Sequence, residues 1–373
     1  MLSFWEHRSL SERYDVLVIG AGITGCSAAI SLKTESPKMR VALIDKEGLF
    51  MSTASSKNAG FACFGSMSEL LEDKKSLGEE AMLALVSKRW DGLQYLRSLI
   101  PDKAMDYVTC GGLEVFEDEH LLELCRQERL GLNASLRAII GNEVFKEVNS
   151  LNTIVFQGFK GMIASPYEGQ LDPARMMAAF HQRLRALDVP VFIGTAVDRL
   201  DDANEEVLVH VGEATLRARD VLVTTNGLAA QLIDVPVRPT RAQVLITSPI
   251  PELNWQHVVH LDHGYTYFRN VGNRVLLGGR RNYDEATEYS SEMALNPVIQ
   301  EHLEQLLREK ILPGKDVSIE RRWVGIMGTG PDREPIMASP GQHIHCAVRL
   351  GGMGVAIGSL LGRDAARRLI GRE

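Results

Sequence analysis

Residues 16–25 read VLVIGAGITG. Val16 to Ile19 are apolar without polar alternation, as in a strand buried on both faces of a parallel sheet, and the run extends back to Tyr14. Three glycines follow at the spacing Gly20-x-Gly22-x-x-Gly25, and GCSAAISL (25–32) continues as a helix with small residues on its near side. The first glycine permits a tight turn, the second lets a pyrophosphate approach the backbone, and the third lets the helix pack on the strand. The helix amino terminus adds N–H groups and the positive end of its dipole. VALID (41–45) supplies a second buried strand. Asp45 ends it about 20 residues after Gly25, where a carboxylate accepts hydrogen bonds from a ribose diol. Ile23 and Thr24 lie inside the loop, and Lys46 follows the acid. The stretch reads as a dinucleotide site opening a βαβ unit, and by itself it leaves NAD and FAD equally open.

Outward from this unit, residues 69–99 are helical and amphipathic, GGLEVF (111–116) is strand-like, and residues 117–136 return to helix with a charged outer face. Asp172-Pro173 marks another helix start, with Asp172 as cap, Pro173 at the first helical position, and an apolar stripe through Met176, Met177, Phe180, Leu184 and Leu187. Strand-like runs follow at 189–197, 207–212 and 219–227. TRAQVLITSP (240–249), GYTYFRN (264–270) and NRVLLGG (273–279) then alternate with turn residues as antiparallel strands do. Residues 343–370 read as strand, glycine turn and helix. Parallel-type units thus stand at both ends, with antiparallel material inserted twice. This predicts an α/β fold, a Rossmann-like dinucleotide-binding domain interleaved with an α+β substrate domain built on an antiparallel sheet. Residues 1–105, 162–235 and 323–373 are assigned to the first domain, and 106–161 and 236–322 to the second.

A chain of 373 residues is long enough for two cores. Its formal net charge of −7, with basic and acidic residues interspersed, disfavours nucleic acid as a partner. Charges near the amino terminus (MLSFWEHRSLSERYD) replace the apolar centre of a secretory signal, and no long uncharged apolar run predicts a membrane span. Five scattered cysteines without a C-x-x-C pair suit small buried hydrophobes in a reduced cytoplasm. His257, His260 and His263 recur every third residue, but in a strand they do not share one face, so no metal site is assigned.

FMSTASSKNAGFACFGS (50–66) separates the dinucleotide choices. Its small and hydroxyl residues let a backbone run close beneath a ring system. With this loop in view, the chain resembles the D-amino-acid-oxidase-type FAD-dependent oxidoreductases, which include glycine and sarcosine oxidases and related amine dehydrogenases. VIGAGITG with Asp45, ASSKNAG (54–60), VLVTTNG (221–227) and RLGGMGVAIGSLLGRDAA (349–366) carry the match. Weaker pieces are EGQLDPARMMAAF (168–180), YFRNVGNRVLLGG (267–279) and RRWVGIMGTGPDREPIM (321–337). The resemblance implies extended FAD, with pyrophosphate on Gly20 to Gly25, ribose on Asp45, and Ser55, Ser56, Asn58, Ala59 and Gly60 flanking the isoalloxazine. It implies adenine against the backbone of Val197 and closure by Thr225, Asn226 and Gly227. Gly352, Met353, Gly354 and Val355 would bring N–H groups to the flavin carbonyl. The position matching attachment through cysteine falls near Gly325, and the loop around Lys57 has no histidine, so the FAD is expected to be non-covalent.

On the substrate side, alternation in GYTYFRN puts Tyr265, Tyr267 and Arg269 on one face, which suits an apolar chain bearing an anion as well as it suits a cross-strand aromatic pair. Arg280 and Arg349 are further cationic candidates, and Lys57 is a loop lysine near the ring. The family's usual clamps are replaced: Met327 stands where amino acid oxidases place arginine, and Phe61 and Ala356 where sarcosine oxidases place arginine and lysine. Leu276 replaces their lysine over the flavin, and Met353 a histidine. The expected activity is oxidation of a C–N bond of an amino acid or secondary amine to an imine by hydride transfer, in the cytoplasm. Oxygen, a quinone or a carrier protein takes the electrons. The alternatives are a hydroxy-acid or glycerol-phosphate-type dehydrogenase, which needs a base near the ring, and a flavin-bearing module of a larger complex.

Overall fold

In the computed structural model of the protein, residues 3–5, 12–48, 54–148, 156–251, 253 and 255–371 are described. The first four residues of the loop read as 50–66 lie outside them, as do 1, 2 and 6–11 of the charged amino-terminal stretch.

The first sheet is built around β1 (Arg13–Ile19), which runs parallel to β2 (Val41–Ile44) on one side and to β11 (Ala214–Val223) on the other. β8 (Val191–Phe192) extends it beyond β2 and β18 (Ile344–Val348) beyond β11, both parallel. β17 (Ile336–Ala338) forms an antiparallel edge. A hairpin of β9 (Arg199–Asp202) and β10 (Val207–Val211) branches from β11. Alternate residues of β1 feed two cores. Val16 and Val18 pack under the helices, and Leu17 and Ile19 under the hairpin. The helices on the first face are α1 (Ile23–Glu35), α4 (Glu79–Leu99), α6 (Pro173–Ala186) and α9 (Gly354–Leu369). The α6 start is as expected: Asp172 accepts from the N–H groups of Ala174 and Arg175, at 2.8 and 3.0 Å. The helix expected over 69–99 is two helices, α3 (Met67–Leu77) and α4, because Gly78 between them has φ 88°. Short α2 (Ala54–Lys57) and β3 (Phe61–Ala62) carry the loop after β2, and β3 pairs with β7 (Gly169–Gln170).

The second sheet has the order β16-β12-β15-β14-β13-β4-β6-β5. Its strands are β4 (Gly112–Phe116), β5 (Lys146–Val148), β6 (Gly161–Ser165), β12 (Arg238–Thr247), β13 (Val258–Leu261), β14 (Thr266–Val271), β15 (Arg274–Gly279) and β16 (Ile319–Thr329). Only the β13–β4 pair is parallel. One face is apolar: Leu113, Val259, Phe268, Leu277 and Leu245 pack on Ile299, Leu303 and Leu306 of α8 (Pro297–Leu306). Helix α5 (Glu119–Leu136) and the short α7 (Glu285–Glu288) flank the sheet. The register sets the opposite face as a row, Glu114–His260–Tyr267–Gly278–Val244–Trp323. That row meets the loop after β2, where Ala59 and Phe61 pack with Val244, Leu276, Tyr267 and Trp323. The indole N–H of Trp323 donates to the Lys57 carbonyl at 2.8 Å, fastening loop to sheet.

Candidate active site

The glycine loop is closed by steric necessity. A Cβ on Gly25 would stand 1.9 Å from the Gly20 oxygen, and one on Gly22 2.7 Å from Ser55 Oγ. Thr224 Oγ1 donates to the carbonyls of Ile19 and Gly20 at 2.9 and 2.8 Å, and the Ile23 N–H donates to Ser55 Oγ at 3.0 Å. Asp45 is buried. Its two oxygens accept from the N–H groups of Ala21 and Glu47, at 2.7 and 2.9 Å, and keep lone pairs for a ribose. Asn58 turns the loop back by accepting from Gly60 N–H at 2.8 Å. Val197 packs half-buried against the core under the hairpin.

Helix α9 reaches the same end of the first sheet. Gly358 and Gly362 let it lie on α1, where a Cβ at Gly362 would stand 2.2 Å from the Thr24 oxygen. Ser27 Oγ donates to the Ser359 carbonyl at 2.6 Å. Met353 at its N-cap gives no side-chain hydrogen bond, so the first N–H groups of α9 stay uncapped beside the Gly351-Gly352 turn. Asn226 Oδ1 accepts from the N–H groups of Arg349 and Leu350, at 3.0 and 3.1 Å, and Gly227 abuts the Met327 carbonyl. The Thr225 hydroxyl is buried without a partner. Close backbone loops, two helix termini without side-chain caps of their own and an orphaned hydroxyl fit the phosphates and carbonyls of a dinucleotide. Gly20 to Gly25, Asp45, Ser55 to Gly60, Thr225 to Gly227 and Gly352 to Val355 therefore gather at one end of the first sheet and along the row of the second.

The cationic candidates divide. Arg349 is committed: its guanidinium pairs with Asp332 and donates to the Glu334 carbonyl at 2.8 Å. Arg280, at φ 59°, is buried over the Tyr283 ring, and its Nε has no partner. Arg269 is buried against Gly60. Its Nη2 donates to the Leu171 carbonyl at 3.0 Å, its Nε is unpartnered, and no carboxylate among the described residues lies within ion-pair distance. Burial lowers its pKa to about 10, so it stays charged at neutral pH. Tyr267 shares that face, and burial raises its hydroxyl to about 12. Tyr265 lies in the preceding turn under Arg281 rather than in β14. Phe61 and Leu276 stand at this junction as apolar groups, and Met327 lies beside Gly227 and Gly352. Ala356 packs its backbone on Gly92 of α4.

One pair was not legible as a site. His260 Nε2 lies 2.7 Å from Glu168 Oε2, and both residues are buried. Gly112 makes room for the carboxylate, since a Cβ there would stand 2.2 Å from Glu168 Oε2. The turn Asp262–Tyr265 carries the available signal, because a four-residue connection puts His260 opposite Tyr267. Among the described residues, no group of three or more His, Cys, Asp or Glu is placed to hold a metal, and no helix is long and apolar enough to cross a membrane.

The FAD dependent oxidoreductase family matches the chain from residue 15 to residue 368. The chain belongs to this family. The bifunctional protein ThiO/ThiG of Synechocystis sp. is 23% identical over 337 residues, which are 87% of this chain and 46% of that protein. The chain thus spans about half the length of that relative. Glycine oxidase from Geobacillus kaustophilus superposes with a TM-score of 0.76 at 18% identity, covering 97% of this chain and 96% of that one. Iminodiacetate oxidase from Chelativorans sp. BNC1 gives 0.77 at 19% identity, with 96% of each chain covered. The interleaved fold is theirs as well. The glycine loops, the helix termini without side-chain caps of their own and the buried Thr225 hydroxyl fit the cofactor for which the family is named.

Proposed function

We propose that this oxidoreductase oxidises the C–N bond of a small amino acid or secondary amine to an imine, with its FAD held non-covalently. The observation that carries the reading is Arg269, a buried guanidinium without a carboxylate, on the sheet face that meets the cofactor loop. An uncompensated buried charge is costly, and a substrate carboxylate supplies the missing anion through a charge-assisted pair. The two structural neighbours above are named for amino-acid oxidations, which agrees. Bound FAD supplies the hydride acceptor. Gly20, Gly22, Ile23, Thr24 and Gly25 hold its phosphates, Asp45 and Lys46 its ribose side, and Val197 its adenine. Ser55, Ser56, Asn58, Ala59 and Gly60 flank the ring, Thr225, Asn226 and Gly227 close over the dinucleotide, and Gly352 to Val355 meet the flavin carbonyl. Arg269 orients the substrate, with Arg280 as the second cation, and Phe61, Tyr267, Leu276 and Trp323 exclude water.

A second reading, oxidation of a hydroxy acid, is favoured by the His260–Glu168 pair, since an alcohol needs a base. Purified protein is expected to be yellow and to release FAD into acid supernatant. Colourless protein that refuses added FAD refutes the cofactor assignment. Anaerobic bleaching is expected with one or more of glycine, N-methylglycine, L-proline, iminodiacetate and a polyamine. Bleaching by lactate or 2-hydroxyglutarate alone replaces the amine by the alcohol. Comparing reoxidation by oxygen with reduction of a quinone then assigns the acceptor.

A further inference from the structure

We propose that His260, held by Glu168, takes the proton that an amine substrate sheds before oxidation; this rests on the amine reading above. An amine reaches the site mostly as an ammonium ion, which has no lone pair and does not give up a hydride. The row of the second sheet brings one imidazole to the place where that proton has to go. His260 and Tyr267 are directly paired across β13 and β14, so their side chains share the face toward the cofactor loop. Phe61 of that loop sits edge-on to both rings, at 5.3 Å from His260 and 5.5 Å from Tyr267. Arg269, two residues along β14, lies diagonally across from His260, so a substrate whose carboxylate meets the guanidinium has its nitrogen near the ring.

The hydrogen bonding fixes which nitrogen acts. Nε2 faces Glu168, and Nδ1 has no hydrogen-bond partner among the described residues. With the Nε2 proton donated to the carboxylate, Nδ1 carries a lone pair. In the step, one N–H bond of the ammonium breaks, its electron pair stays on the substrate nitrogen, and the proton forms the Nδ1–H bond. The positive charge moves from substrate to imidazolium, which Glu168 neutralises, so the site's net charge is unchanged.

The groups facing this imidazole are mostly acidic. They are Glu168 before β7, Glu114 on β4 and Glu69 on α3, with Cys63 and Cys110 near Glu168 and with Tyr267 and Arg269 on β14. Burial alone lowers the His260 pKa, but Glu168, by charge and hydrogen bond, and then Glu114 and Glu69 outweigh it, and the net shift is upward from 6.5. The accepting form therefore appears only as pH rises through that raised value, and substrate-driven bleaching accelerates over the same window.

The test uses FAD-loaded protein and whichever panel amine bleaches it, with anaerobic bleaching followed from pH 6 to pH 10. His260→Asn is expected to bleach roughly 100-fold more slowly near pH 8, where the substrate is still an ammonium ion, and to keep only the rise that the substrate's own deprotonation gives toward pH 10. Glu168→Gln is expected to keep the rise but move it to lower pH. Histidine-labelled protein followed by NMR, without substrate, is expected to show one imidazole titrating above 6.5 that is absent in His260→Asn and shifts downward in Glu168→Gln. A folded, flavin-loaded His260→Asn with an unchanged pH profile overturns the proposal while leaving amine oxidation standing. Should that variant not fold, an unmoved profile in Glu168→Gln overturns it equally. If no amine bleaches the wild-type flavin, the amine reading fails first, and this inference with it.

Discussion

Two buried arginines stand in different electrostatic company. Arg89 of α4 has its anions within the chain, Glu69 Oε1 at 3.4 Å and Asp73 Oδ2 at 3.7 Å, and donates to the Phe64 carbonyl at 3.0 Å. Arg333 adds a second cation 2.6 Å from Asp73, a contact of charge rather than of aligned hydrogen bonds. Arg269 of β14 has a carbonyl and, among the described residues, no carboxylate within ion-pair distance. Asp172 and Asp106 act on it only at longer range, and Asp172 is engaged in capping α6. The first guanidinium belongs to a closed structural cluster. On the proposed function, the second is half of a pair whose other half is the substrate carboxylate.

The largest effect expected from this contrast is on stability at the first arginine. Arg89→Met leaves the buried Asp73 and the half-buried Glu69 with the more exposed Arg333 as their remaining cation and is expected to lower unfolding free energy by about 3 kcal/mol in denaturant melts. Arg269→Met removes a charge that has no internal partner. It is expected to melt no lower than wild type and to retain FAD, while the substrate concentration for half-maximal bleaching rises about 100-fold, or about 2.7 kcal/mol. Equal losses of stability in the two variants would erase the distinction. Cys110→Asp places a carboxylate near Arg269 and makes the second site resemble the first. Half-saturation is then expected to rise about tenfold. Asp172→Ala is the mildest: loss of the helix cap costs about 1 kcal/mol, and substrate affinity stays within about twofold.

The cofactor end was legible because its constraints are local. The strand Tyr14–Ile19, the spacing of Gly20, Gly22 and Gly25, and the acid at Asp45 sit within one βαβ unit, and the helix after Gly352 announces itself by its glycines. The substrate face depends on register between distant strands. Tyr267 and Arg269 follow from alternation along one strand, but their relation to His260 needs the pairing of β13 with β14. The partner of His260 comes from a loop that only the fold brings near. Arg349 shows the opposite failure: its position beside the glycine turn suggested substrate contact, yet Asp332, in a loop without any regular pattern, takes its charge. Helix periodicity likewise ran through Gly78, because an apolar stripe continues across a break that φ alone reveals.

The seam between α1 and α9 also sets the order in which the protein becomes functional. Ser27 and Ser359, whose hydrogen bond joins the two helices, are 332 residues apart. At ribosomal speeds, the second leaves the peptidyl-transferase centre on the order of 20–60 s after the first. Through that interval the nascent chain holds the glycine loop without the helix that packs against it. On the proposed cofactor site, flavin capture waits until this stretch of chain has been made, and a message cut short before Ser359 is expected to yield a protein that does not retain FAD.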